Sequence, residues 1–88
     1  MKIKDGFVVK ELAGQYVVVA LGQASTVFNG IIKLNDTAKF MWDKLSVGAE
    51  KADVVDALLG EYEGVDREIA ERDFDNFVNK LKGANILE

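Results

Sequence analysis

The chain contains no cysteine, no histidine and no proline. Without cysteine there are no disulfides and no thiolate metal sites, and a reducing compartment is permitted. Without histidine the usual general base and the commonest metal ligand are missing, and so is every Ser-His or Cys-His nucleophile pair. Arginine is scarce, only Arg67 and Arg72 being present, and the formal net charge is −4. Nucleic-acid binding draws on Lys and Arg meeting phosphate, so this balance points away from DNA and RNA. No apolar run approaches membrane-spanning length. The short segment from Met1 to Gly6 lacks the apolar stretch of a signal peptide, so a cytoplasmic location is expected. The glycines fit neither a G-x-G-x-x-G nor a P-loop spacing, and Ser25 and Ser46 have no visible activating base.

What remains is 88 residues, 49% of them apolar, which is enough for one modest core and argues against disorder. Gly6, Gly14, Gly22 and Gly30 fall every eight residues and separate segments rich in Val, Phe, Tyr, Ile and Leu. Short apolar segments punctuated in this way read as strands. We place them at about 7–12, 16–21 and 30–34. Ala13-Gly14-Gln15 forms the first hairpin turn, because Gly14 takes a positive φ cheaply. The Gly22–Asn29 connection could extend the third strand backwards, with a bulge or bend at Gly30. Val17-Val18-Val19 is a continuous apolar run and does not assign faces.

Helical spacing takes over after Leu34. The first helix is expected at about 36–45, with Asn35 as N-cap and Ala38, Phe40, Met41, Trp42 and Leu45 on its buried side. The second is expected at about 50–62, with Val54, Val55, Leu58, Leu59 and Tyr62 in a stripe. The third is expected at about 67–82, capped by Asp66 and burying Ile69, Ala70, Phe74, Phe77, Val78 and Leu81. Gly83 suits the C′ position, and Ile86 and Leu87 should fold back onto the core. Three strands followed by three helices make one α+β domain over residues 1–88, winged-helix-like, with the helices on one face of a small antiparallel sheet. Such a sheet has edges that must be covered, blocked or used by a partner.

The order of these elements resembles the PqqD-like family, the fold of pyrroloquinoline quinone biosynthesis protein D and of RiPP recognition elements. The resemblance rests on Leu34, Asn35, Thr37, Ala38, Trp42 and Leu45, then Leu58, Tyr62, Val65 and Asp66. It continues through Asp73, Phe74, Phe77, Val78 and Leu81 to Gly83, Ile86 and Leu87, and so covers nearly the whole chain. Ala38 stands where glycine is common, and the tail reads G-A-N-I-L where many members read A-G-L-L.

The resemblance implies a non-catalytic chaperone that needs no cofactor. Such proteins hold the leader of a ribosomally made precursor peptide and present it to a modifying enzyme, commonly a radical S-adenosylmethionine (SAM) protein. The leader adds as a strand to the third strand and lies between it and the third helix. Strand addition supplies sequence-tolerant main-chain hydrogen bonds, and side-chain pockets supply selectivity. The expected peptide-binding residues are then Asn29, Gly30, Ile31, Ile32 and Lys33 through their backbone. Asp73, Asn76, Phe77 and Lys80 would line the facing wall, with Leu81 as a further candidate, and Ile32→Pro should weaken leader binding by removing a ladder donor.

Plainer readings stand beside these. Ile31, Ile32, Phe74 and Phe77 also fit an ordinary core, and Trp42 a core filler. The acidic residues of the third helix alternate with Arg67, Arg72 and Lys80, as on a solvated face. Two other functions fit the same elements. A homodimer could form through the same sheet edge. A winged-helix nucleic-acid binder has a similar element list, but the acidic balance argues against it.

Overall fold

The computed structural model describes residues 1–26, 28 and 31–88. Its elements are β1 (Phe7–Leu12), β2 (Gln15–Ala20), a 3-10 helix (Gly22–Thr26), β3 (Ile32–Leu34), α1 (Asp36–Ser46), α2 (Lys51–Glu61) and α3 (Arg67–Gly83). The strands form one antiparallel sheet in the order β1-β2-β3, so β2 is central and β1 and β3 are edges.

The first hairpin is tighter than the sequence suggests. Its turn is two residues, Ala13 (φ 53°) and Gly14 (φ 78°), and Leu12 pairs directly with Gln15. Two consecutive positive φ values are what a type I′ turn requires, and its twist matches that of the strands. Gln15 is thereby drawn into β2, which occupies 15–20 rather than the expected 16–21. The ambiguous Val17-Val18-Val19 run resolves by alternation. Val18 is buried at 2% exposure and points to the helices with Phe7, Ile32 and Leu34, while Val17 and Val19 are half-buried on the opposite face.

The described part of the connection after β2 lies outside β3. Gly22–Thr26 closes into a 3-10 turn, with the Ser25 hydroxyl donating to the Gly22 carbonyl at 2.6 Å and the Thr26 hydroxyl to that of Gln23 at 2.7 Å. Such local side-chain bonds compete with a sheet ladder. Phe28 packs against the core and meets Phe7 of β1 edge to face, ring centroids 5.5 Å apart. Gly6 sits under this connection at φ 95°. A Cβ there would lie 2.9 Å from that of Ala24, so only glycine fits. The expected bend at Gly30 lies outside the described residues, and β3 begins at Ile32, two residues later than expected.

The helices are set by their caps. Asn35 Oδ1 accepts from the Ala38 amide at 2.8 Å, and Asp66 Oδ1 from that of Ile69 at 2.8 Å. The Asp53 carboxylate reaches back to the Glu50 amide at 3.2 Å, so α2 starts one residue after its expected first residue. α3 runs through Gly83, which is therefore helical rather than C′. The left-handed position falls to Asn85 (φ 60°). The Asn85 amide bonds the Lys82 carbonyl at 3.0 Å and the Ile86 amide that of Leu81 at 3.0 Å. This pair of bonds is a Schellman turn. It reverses the chain, so that Ile86 (0% exposed) and Leu87 (8%) enter the core.

That core also holds Leu45 of α1, Val54, Val55 and Leu58 of α2, and Phe74 and Leu81 of α3, all fully or almost fully buried. Phe40, Leu59, Tyr62 and Ile69, expected on buried faces, are half-buried, and Phe40 and Tyr62 meet edge to face at the core margin. The two ends of the described chain run side by side. Ile3 bridges Leu87, the Lys4 amide bonds the Ile86 carbonyl at 2.8 Å, and the Glu88 amide bonds that of Lys2 at 2.9 Å. Among the described residues no helix is long and apolar enough to cross a membrane.

Candidate functional site

The hairpin determines which backbone groups the sheet leaves free. In a two-residue turn the closing pair, Leu12 and Gln15, exchanges hydrogen bonds, and such pairs then alternate along an antiparallel ladder. Lys10–Val17 and Val8–Val19 are therefore the next bonded pairs. Tyr16, Val18 and Ala20 direct their backbone groups the other way, to β3. Their partners there are Leu34 for Tyr16 and Ile32 for Val18. Ile32 and Leu34 thus spend their amides inside the sheet, whereas Lys33 directs its N–H and C=O outward from the edge. Among the described residues no strand pairs with that edge. The expectation that Ile32 offers a peptide-facing donor is corrected accordingly: that amide faces β2, and its neighbour Lys33 carries the free one.

Side chains follow the same parity. Ile32 (8% exposed) and Leu34 (6%) point inward. Lys33 is exposed on the opposite, outer face, and Ile31, just before β3, is 77% exposed. Asn29 and Gly30 lie outside the described residues.

On the helical side, Asp73, Asn76, Phe77 and Lys80 are spaced i, i+3, i+4, i+7 and share one face of α3. All four line one open cleft of about 280 Å³. Its opposite wall is the start of α1: the cap Asn35, then Thr37, Ala38 and Met41. Phe77 (6% exposed) and Met41 (3%) make an apolar floor. Asp73 and Lys80 stand seven residues apart, roughly 10 Å along the helix, and leave the wall negative at one end and positive at the other. Neither has an ion-pair partner among the described residues.

This cleft joins α3 to the start of α1. Ile31, Ile32 and Lys33 do not line the cleft; α1 does, and Asn35 links the cleft to the end of β3. In the sequence Ala38 reads as part of the buried side of α1, and Thr37 carries only the family resemblance. Their small size, opposite an aromatic on another helix, was the one available signal. Leu81 is not on the wall, being 0% exposed within the core. Lys33 instead borders a second hollow with Gly14, Gln15, Tyr16, Leu34, Asn35 and Asp36, at the hairpin end of the sheet. No group of three or more acidic side chains among the described residues is placed to hold a metal ion.

A family model described as "Coenzyme PQQ synthesis protein D (PqqD)" matches residues 15–87, from β2 through the segment that follows α3. The chain belongs to the PqqD family. Two solved structures share the fold of this family member over almost its full length. One is TbiB1 in complex with the TbiA(beta) leader peptide, 30% identical, with a TM-score of 0.77 and coverage of 100% of this chain and 95% of that one. The other is a lasso peptide synthetase B1 complexed with the leader peptide, 29% identical, with a TM-score of 0.73 and coverage of 97% and 93%. A search of curated proteins finds no significant match.

Proposed function

We propose that this chain is a non-catalytic peptide chaperone. It captures the leader of a ribosomally made precursor peptide by strand addition and presents it to a modifying enzyme such as a radical SAM protein. The observation that carries this reading is the free outer edge of β3, where Lys33 directs an amide and a carbonyl outward beside an apolar-floored cleft between α1 and α3. The relatives support it, since both structures contain a leader peptide. A docked strand places alternate side chains toward the helices, where Phe77, Met41, Asp73 and Lys80 can discriminate among them. The peptide occupies the same edge that a homodimer would use, so the two associations compete.

The test is an amide NMR titration with the leader of the precursor peptide encoded beside this protein. Saturable shifts confined to Ile31–Leu34, the first turns of α1 and the Asp73–Lys80 face of α3 are the expected result. Shifts confined to the β1 edge, or none at millimolar peptide, would overturn the reading.

A further inference from the structure

The face of the sheet turned away from the helices has its own chemistry. By register, Lys10 of β1, Val17 of β2 and Lys33 of β3 form one row across it, and Val8 and Val19 form the next. Ile31, two residues before Lys33, continues toward that second row. The strand residues on this face carry two cations and no carboxylate, because Glu11 lies on the opposite face by alternation. This is a local reversal of sign in a chain of net charge −4. Neither Lys10 nor Lys33 has an ion-pair partner among the described residues.

A strand added at β3 shows only half of its side chains to the cleft. The other half emerges on the outer face, and the one opposite Lys33 lies about 5 Å from it, Cβ to Cβ. Resting on the edge-capture reading above, we infer that the bound peptide is read on both faces. It carries a carboxylate at the outward position opposite Lys33, and an apolar residue two positions away, beside Ile31. Lys10, two strands further in, adds a weaker attraction of the same sign. Lysine at the edge thus selects a partner by charge as well as deterring sheet-to-sheet aggregation.

The test uses a random twelve-residue peptide library displayed on phage, panned separately on the wild-type protein, on Lys33→Glu and on Lys33→Pro, each verified as folded by circular dichroism. The wild type should enrich peptides with Asp or Glu alternating with apolar residues. Lys33→Glu should enrich Lys or Arg at the same positions, and Lys33→Pro should bind the peptides selected on the wild type about 2- to 12-fold more weakly. Synthetic copies of a winning peptide, with its outward Glu replaced by Gln, should bind the wild type about 1.4- to 5-fold more weakly and Lys33→Glu more tightly. Equal charge preference on wild type and Lys33→Glu, with Lys33→Pro still weakening capture, overturns the two-face inference and leaves edge capture standing. Unchanged affinity of Lys33→Pro for the selected peptides, or no enrichment on the wild type, overturns edge capture and the inference together.

Discussion

Proline placed at each of two adjacent positions should separate binding from folding. At Lys33 the substitution removes an amide that points out of the sheet, so the β2–β3 ladder keeps the bonds of Ile32 and Leu34. Proline is tolerated on an edge strand with its nitrogen to the outside, and the preceding residue must be extended, as Ile32 already is. The docked peptide loses one main-chain hydrogen bond. Its net worth is about 0.5–1.5 kcal/mol, or roughly a 2- to 12-fold rise in Kd. At Ile32 the same substitution removes one of the two bonded pairs that hold β3 to β2 and truncates a side chain that is 8% exposed. Loss of the buried apolar atoms alone costs on the order of 2 kcal/mol. At about 4–8 °C per kcal/mol for a chain of this size, the melting temperature should fall by roughly 10 °C or more. Isothermal titration calorimetry with the leader reads the first effect and thermal circular dichroism the second, with Lys33→Ala as a control that keeps the amide. A folded Lys33→Pro variant with unchanged affinity would refute the ladder parity on which the site rests. So would an Ile32→Pro variant of wild-type stability that has lost the peptide.

Other substitutions probe the fold and the cleft. Asn85→Gly should be neutral or slightly stabilising, and Asn85→Ala should cost about 1 kcal/mol in urea unfolding, because alanine pays for the left-handed φ of 60°. Phe74, 1% exposed, should cost about 3–5 kcal/mol when cut to alanine. Against a total of about 4–13 kcal/mol for 88 residues, that leaves a chain near its unfolding threshold, visible as lost amide dispersion in an NMR spectrum. Asp73→Asn and Lys80→Gln should change the affinity for a charged leader in opposite directions, by no more than about 5-fold each, and the differences should fade in 0.5 M salt in fluorescence anisotropy.

The helical half was legible because its signals are local. Asn35 and Asp66 sit where a cap belongs and cap as expected, and the stripe from Ala70 to Leu81 is buried at the spacing a helix demands. The sheet half was legible only in outline. Gly14 announced a turn, but whether Gln15 belonged to it depended on its pairing with Leu12, which no single position encodes. Val17-Val18-Val19 fits either parity, and the register that buries Val18 is set by that same turn. Gly83 looked the better helix stop by residue type. Asn85 took the role because only there does the reversal deliver Ile86 and Leu87 into the core. The cleft was half visible: one face of α3 can be read from spacing, whereas its meeting with Thr37 and Ala38 is a tertiary fact.

The adjacency of Lys2–Lys4 and Ile86–Glu88 has an engineering consequence. A peptide link of a few residues between those segments closes the chain into a ring without reshaping it, and new ends can then be cut at an exposed point such as the Ala13–Gly14 turn. By the same geometry the whole unit can be spliced as a cassette into a surface loop of another protein. Its host would see one narrow attachment point, and the β3 edge would remain open on the inserted module.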